Sequence, residues 1–251
     1  MKAFELGGRK ALVTGANAGI GKAIALALAQ AGAHLVCAGR SAMDEMIAEI
    51  AAAGGSASAC RMDLADPAAA ARQLSQVDAE HEGIDILVNN AGIIRRADAV
   101  DFSEADWDEV IDVNLKATFL LAQAFARARF KRAAPGKIIN IASMLSFQGG
   151  VRVASYTASK SGILGLTRLL ACEWAARGIN VNAIAPGYIA TANTKALRED
   201  PQRNKAILDR IPAGRWGEAS DLGGAAIFLA SSAADYVHGT VLPVDGGWLA
   251  R

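Results

Sequence analysis

The chain reads as a single α/β domain built on a doubly wound parallel sheet of about seven strands, with helices on both faces. Three observations lead there. Short β-rich runs alternate with helical ones from end to end. Several strand runs (Ala11-Leu12-Val13, Ile86-Leu87-Val88, Ile138-Ile139) are apolar on both faces rather than alternating, which suits strands covered by helices on each side. The links are short, and no linker-like stretch or internal repeat divides residues 1–251 into separate units.

Taken in order, Lys10 to Thr14 predicts a strand and Ile20 to Ala31 a helix closed by Gly32. His34 to Ala38 is a second strand, and Asp44 to Ala53 a helix ending at Gly54-Gly55. A strand over Ser56 to Met62 is followed by a helix from Pro67 to about His81, then a strand over Ile84 to Val88. Ser103, with Asp106 three residues on, resembles a capping box and opens a long helix that Pro135-Gly136 stops near Ala134. Lys137 to Ala142 predicts a fifth strand, Ala154 to Ala176 a helix and Asn180 to Ala185 a sixth strand. Tyr188 to Arg215 reads as irregular and polar, before a helix over Ser220 to Ser231 and a last strand over Thr240 to Val244.

Composition excludes several function classes. With 26 Lys and Arg against 25 Asp and Glu, the net charge of +1 leaves no electrostatic footprint for nucleic acid or an anionic membrane. A hydrophobic content of 52% is that of a folded chain, yet no apolar run approaches the roughly 20 residues of a membrane span. Met1 to Lys10 lacks the apolar core and cleavage site of a signal peptide, which points to the cytoplasm. Cys37, Cys60 and Cys172 are odd in number and far apart, so buried free thiols are expected, with no disulfide and no metal site.

Between the first strand and first helix lies Thr14-Gly15-Ala16-Asn17-Ala18-Gly19-Ile20-Gly21. Glycines at such a turn let the backbone approach a pyrophosphate, which sits on free N–H groups at the positive helix end. The spacing is G-x-x-x-G-x-G; structural glycines are the alternative, and its place after the first strand of a βαβ unit favours a dinucleotide site. The second strand ends in Gly39-Arg40-Ser41, with no acid to bind a ribose 2′-hydroxyl and a guanidinium that suits a 2′-phosphate. Stacking on adenine or a position in solvent are the alternatives for Arg40. Asp63, followed by Leu64, is placed for the adenine amino group; the alternative is a carboxylate at the N-terminus of the next helix.

Tyr156 and Lys160 are one helical turn apart on a shared face. A tyrosine of pKa near 10 is a poor acid/base at neutral pH, and a nearby ammonium favours its phenolate form. Lys160 is positioned to supply that field while holding a nicotinamide ribose, and Tyr156 to exchange a proton with an alcohol or ketone as hydride moves. Ser143, at the end of the fifth strand, is placed to hold the substrate oxygen, since open α/β sheets bind ligands at the carboxyl ends of their strands.

Together these motifs resemble the short-chain dehydrogenase/reductase superfamily over essentially the whole chain, a Rossmann-type fold. The resemblance covers the turn Gly15, Asn17, Gly19, Ile20, Gly21, the motif Asn89-Asn90-Ala91-Gly92, and a catalytic tetrad of Asn114, Ser143, Tyr156 and Lys160. It implies that Asn114 binds a backbone carbonyl and anchors a proton-relay water through Lys160. It also implies that Pro186-Gly187 packs the nicotinamide and that Ile189 and Thr191 meet its carboxamide. The stretches Asn140 to Gly150, Ser155 to Gly162, Ile211 to Gly217 and Val244 to Arg251 are similar to superfamily members that oxidise or reduce keto-deoxy sugar acids in bacterial uronate and pectin catabolism. That likeness implies NAD(H), with NADP(H) tolerated through Arg40, and a homotetramer. Its subunit contacts would lie along the alanine-rich faces of the long helices and at the C-terminal strand with Trp248.

An acid sugar needs cations or amide donors beside the reacting carbon. Arg95 and Arg96 follow the Asn89-Asn90-Ala91-Gly92 segment, and Gln148 and Arg152 lie between Ser143 and Tyr156, so these four are the candidate substrate residues. Met144 and Trp248 are read either as pocket lining or as core and subunit packing. Residues 188–215 are read as a lid over the substrate, with a rigid surface excursion as the alternative. Two further readings stand beside this one: a 3-oxoacyl carrier-protein reductase or another polyol dehydrogenase of the superfamily, and an inert nucleotide-sensing protein. The intact tetrad argues against the last.

Overall fold

A computed structural model of the chain describes residues 2–251. Seven strands form one parallel sheet in the order β3-β2-β1-β4-β5-β6-β7. They are β1 (Lys10–Thr14), β2 (His34–Gly39), β3 (Ser56–Arg61), β4 (Ile86–Asn89), β5 (Gly136–Ile141), β6 (Ile179–Pro186) and β7 (Val241–Val244). The strand order reverses between β1 and β4, whose registers pair Leu12 with Leu87. One apolar layer packs α1 (Gly19–Gln30), α2 (Asp44–Ala52) and α9 (Gly223–Ala230) on one face. The other face carries α3 (Pro67–Glu80), α5 (Ala117–Lys131) and α6 (Ala154–Trp174). Both faces of β1 and β6 are buried. This explains why their sequences show no alternation.

The predicted elements recur within a few residues, with informative exceptions. The long helix expected from Ser103 to Ala134 is not continuous. Ser103 caps α4 (Glu104–Ile111), its hydroxyl accepting from Asp106 N at 3.1 Å. A π-helical turn over Asp112–Lys116 then separates α4 from α5. The helix expected at Ser220 to Ser231 is a 3-10 turn over Ala219–Leu222 leading into the shorter α9. The stretch 188–215, read as irregular, contains α7 (Lys195–Glu199) and α8 (Pro201–Leu208). Asp200 caps α8 by accepting from Gln202 N and Arg203 N, and Pro201 fills its first position. That Asp-Pro pair is a start signal present in the sequence.

Cys37, Cys60 and Cys172 are all unpaired; the first two are buried, whereas Cys172 is exposed on α6, contrary to the expectation for it. Burial pushes the Cys37 thiol up to about 11, which leaves it protonated and unreactive near neutrality. Among the described residues, no helix is long and apolar enough to cross a membrane.

Candidate active site

The carboxyl ends of the strands open into one cleft of about 890 Å³ that runs across the β1–β4 gap. A crevice at the reversal of strand order is where open α/β sheets bind ligands. The β1–α1 turn forms one wall. Gly15 and Gly19 adopt left-handed φ of 66° and 54°. A Cβ on Gly21 would lie 2.2 Å from the Gly15 carbonyl oxygen and 2.3 Å from Asn90 Nδ2, so only glycine lets α1 start this close to the strand. Ala18 precedes α1 and offers no side-chain cap. The first N–H groups of α1 are thus left without a side-chain acceptor, as an incoming phosphate requires.

This turn is stitched to the end of β4. The Thr14 hydroxyl accepts from Asn90 N and Ala91 N, each at 3.0 Å, and Asn90 Nδ2 donates to Thr14 O at 2.8 Å. From sequence Thr14 opened the turn motif without a role of its own; the structure gives its hydroxyl the task of holding the end of β4. The preceding asparagine turns into the sheet instead: Asn89 Nδ2 donates to Asn140 Oδ1 at 2.9 Å, and Asn140 Nδ2 to Thr167 Oγ1 at 3.0 Å. Successive strand residues face opposite ways, so one Asn of the pair holds the turn and the other locks β4 to β5 and α6.

All the residues expected to hold a dinucleotide line this cleft: Gly15, Asn17, Gly19, Ile20, Gly21, Arg40, Asp63, Leu64, Asn90, Ala91, Gly92, Tyr156, Lys160, Pro186, Gly187, Ile189 and Thr191. The glycine cradle, the uncapped helix and the length of the cleft fit such a group. Arg40 is exposed at its edge. Asp63 accepts from Ala65 N at 3.0 Å within its own turn, while Asp66 caps α3 by accepting from Ala69 N at 2.9 Å. The helix-capping alternative for Asp63 therefore belongs to Asp66.

At the far end, Ser143, Tyr156 and Lys160 line the same cleft. Lys160 is buried; its Nζ donates to the Ile141 carbonyl at 2.6 Å, and desolvation lowers its pKa to about 8. For Tyr156, burial pushes the phenol up, while a hydrogen bond with Ser143 and then the charge of Arg96 pull it back down. Arg96 thus adds to the field assigned from sequence to Lys160, whose Nζ lies 5.7 Å from the Tyr156 ring centre. Asn114 is buried behind the cleft, in the π-helical turn. Its side chain accepts from Ile93 N at 2.8 Å, donates to Ile93 O at 2.9 Å and reaches Ser159 Oγ at 3.2 Å. The wider turn carries an amide that pairs with a backbone segment as a neighbouring strand would, and a π-turn at a functional position is a recurrent device.

The expected substrate residues separate. Arg96, Gln148 and Arg152 line the cleft; Arg95 does not. Arg95 is taken up instead by Glu109, itself on the cleft wall, at 2.7 Å and by Asp106 at 3.3 Å. Arg152, on the rim, pairs with Asp98 at 3.1 Å. Met144 and Trp248 are buried in the wall of the cleft with Ile207 and cluster with Ile211, as the pocket-lining reading expects. Sequence reasoning missed Arg203 and Arg210, which also line the cleft. The α8 start signal at Asp200-Pro201, followed to the end of that helix, would have brought them to notice.

Residues 15–249 match the family model described as Enoyl-(Acyl carrier protein) reductase. The chain is 54% identical to the 2-dehydro-3-deoxy-D-gluconate 5-dehydrogenase of Dickeya dadantii, covering 100% of this chain and 99% of that protein. A solved structure from Agrobacterium tumefaciens with bound NADP has 65% identity and a TM-score of 0.96, over 100% of both chains. A gluconate 5-dehydrogenase from Burkholderia cenocepacia, crystallised with NADP and tartrate, has 41% identity and a TM-score of 0.94, over 100% of this chain and 98% of that one.

Proposed function

The chain belongs to the short-chain dehydrogenase/reductase family, and from that membership we propose that it interconverts 2-dehydro-3-deoxy-D-gluconate and its 2,5-diketo form with NAD(P) in uronate catabolism. The observation that carries this reading is a single cleft in which the Ser143–Tyr156–Lys160 group stands beside the glycine cradle and is faced by arginines without ion-pair partners. The name of the Dickeya relative supplies the substrate.

In the oxidation direction Tyr156 takes the proton of the substrate C5 hydroxyl; in reduction it returns that proton to the carbonyl oxygen. Ser143, hydrogen-bonded to Tyr156, holds the same oxygen. The bound nicotinamide accepts or supplies the hydride at the substrate carbon. Lys160 spends one donor on Ile141 O and keeps the others for the ribose hydroxyls. Arg96 lowers the cost of the phenolate. Asn114 fixes the segment at Ile93 that carries Arg95 and Arg96. Arg40 meets a 2′-phosphate, and both solved relatives named above carry NADP; NAD is accommodated because the remaining contacts do not involve that phosphate.

Residues 188–215 act as the lid. Gly217 N donates to Tyr188 O at 2.9 Å and Ala190 N to Gly217 O at 2.7 Å, so the segment leaves and re-enters the fold at one point. Closure over the substrate excludes water at the moment of transfer. The three unpaired thiols suit the cytoplasm. The chain works as a homotetramer, a reading supported by exposed Trp107 on α4 and Leu169 on α6.

The test is an activity matrix of NAD and NADP against keto-deoxy acids, hexuronate derivatives, neutral polyols and a 3-oxoacyl thioester. The keto-deoxy acid is expected to have the highest kcat/KM. A preference for the thioester or for neutral polyols would overturn the reading.

A further inference from the structure

We infer that Arg210, seated on Trp248 and joined by Arg203, is the anion subsite that receives the substrate carboxylate. The inference deepens the functional reading above and rests on it for the distance between carboxylate and reacting carbon.

Arg210 follows α8 and lines the cleft. Its guanidinium lies 4.1 Å from the Trp248 ring centre, and its Nη2 donates to Gln148 Oε1 at 3.3 Å. The cation is therefore held by the C-terminal segment on one side and by the Ser143–Tyr156 loop on the other. Stacking leaves the edge donors of a guanidinium available, which is the geometry that receives a carboxylate in two parallel hydrogen bonds. Lys205, on the same helix, pairs with Asp209 at 2.7 Å, whereas Arg203 and Arg210 form no ion pair among the described residues. Burial pushes the Tyr188 phenol up, and the charges of Arg203 and Arg210 both pull it down, so the two guanidiniums act on one place.

A second observation points to a ligand. Trp248 is 4% exposed and lines the cleft, yet its indole N–H has no acceptor. A buried N–H left unmade costs free energy, and an acid or hydroxyl oxygen beside Arg210 would supply the missing acceptor.

The placement also matches the chemistry. The carboxyl carbon of a 5-dehydrogenase substrate lies four carbon–carbon bonds from the reacting carbon, roughly 5 Å when extended. Arg96 follows the segment at Ile93 that Asn114 fixes and pulls on Tyr156, so it belongs to the reacting end; Arg210 stacks on Trp248, whose ring packs on Tyr188 at 4.8 Å. The two cations divide the pocket into a reacting end and an anchoring end. Because Arg210 rides on the lid, an acidic substrate draws the lid shut as it binds.

The experiment uses the NADP-loaded protein and two probes, D-gluconate and the neutral D-glucitol, titrated calorimetrically alongside turnover of the keto-deoxy acid. Wild type is expected to bind gluconate and discriminate against glucitol. Arg210→Gln should weaken gluconate binding and raise KM for the acid by about 10- to 100-fold, with a much smaller fall in kcat. Arg210→Lys should recover part of the loss, keeping the charge but not the paired donors. Trp248→Phe should lose gluconate affinity as well, and Lys205→Gln, which removes equal charge from the same helix, should change nothing. Unchanged gluconate affinity in Arg210→Gln, or an equal loss in Lys205→Gln, overturns the inference. A wild type that fails to turn over the keto-deoxy acid, yet binds gluconate through Arg210, overturns the functional reading and leaves the subsite standing.

Discussion

The two edges of the sheet treat charge in opposite ways. Where the strands begin, cations are paired. Arg129, almost fully buried, meets Asp85 at 3.1 Å and donates to Ile84 O at 3.3 Å. Arg132 pairs with Asp78, and Lys137 with Asp235 at 2.6 Å. Asp85 also accepts from the backbone N–H of Lys10 at 3.0 Å. Where the strands end, Arg40, Arg96, Arg203, Arg210 and Lys160 face the cleft and form no ion pair among the described residues. Charges that serve stability are neutralised by the chain itself, because a buried ion without a partner is costly. At the cleft only the rim residue Arg152 is paired among the described residues, with Asp98, and the other cations are left for an incoming anion to neutralise. Unpaired cations in a cleft are therefore the sharper functional signal, and paired cations of the same residue type, such as Arg95, are the weaker one.

The largest test of that contrast is Tyr156→Phe, which should cut turnover by about 10²- to 10⁴-fold while leaving cofactor binding largely intact; near-normal rates would sink the proton-transfer role. At the opposite edge, Arg129→Met should cost about 1–3 kcal/mol in denaturant unfolding, since it removes the buried partner of Asp85 and leaves it only Arg9 at 3.8 Å and the Lys10 N–H. Its kcat and KM should hold, and a change in either would break the division between edges. Arg40→Asp comes next: the NADP-to-NAD preference should fall by about 10- to 100-fold, and an unchanged ratio would mean that Arg40 does not meet the 2′-phosphate. The adjacent arginines supply the finest contrast. Arg96→Gln should move the acid-side limb of the oxidation rate, where the rate rises as Tyr156 loses its proton, to higher pH, because the charge that lowers the Tyr156 pKa is gone. Arg95→Gln breaks only half-exposed pairs and should alter stability by under about 1 kcal/mol, with the pH profile unmoved.

Much of this was legible in the residues. The glycine turn, the Tyr156–Lys160 spacing and the doubly buried strands all depend on neighbours within a few positions, where steric and periodic rules act. The failures share a different origin. Ser103 to Ala134 looks uninterrupted because no Pro or Gly marks the π-turn; its widening serves Asn114 reaching across to Ile93, 21 residues earlier. Cys172 reads as buried by residue type alone and lies on an exposed face of α6. Residues 188–215 look polar and loop-like because short helices are marked by caps rather than by an apolar stripe.

By itself, then, the amino-acid sequence determined the order of elements, the parallel sheet, the crevice at its reversal and the Ser143, Tyr156 and Lys160 side chains that line it. These follow from backbone sterics, periodic burial and fixed intervals along one helix. Only the tertiary structure decided which arginines are free. Arg95 and Arg96 are neighbours with the same side chain, yet one meets Glu109 and the other lines the cleft. Arg210 owes its position to Trp248 and to Gln148, 62 residues away. Pairing of long flexible cations is settled by what folding brings within reach, and that distance is not written in local spacing.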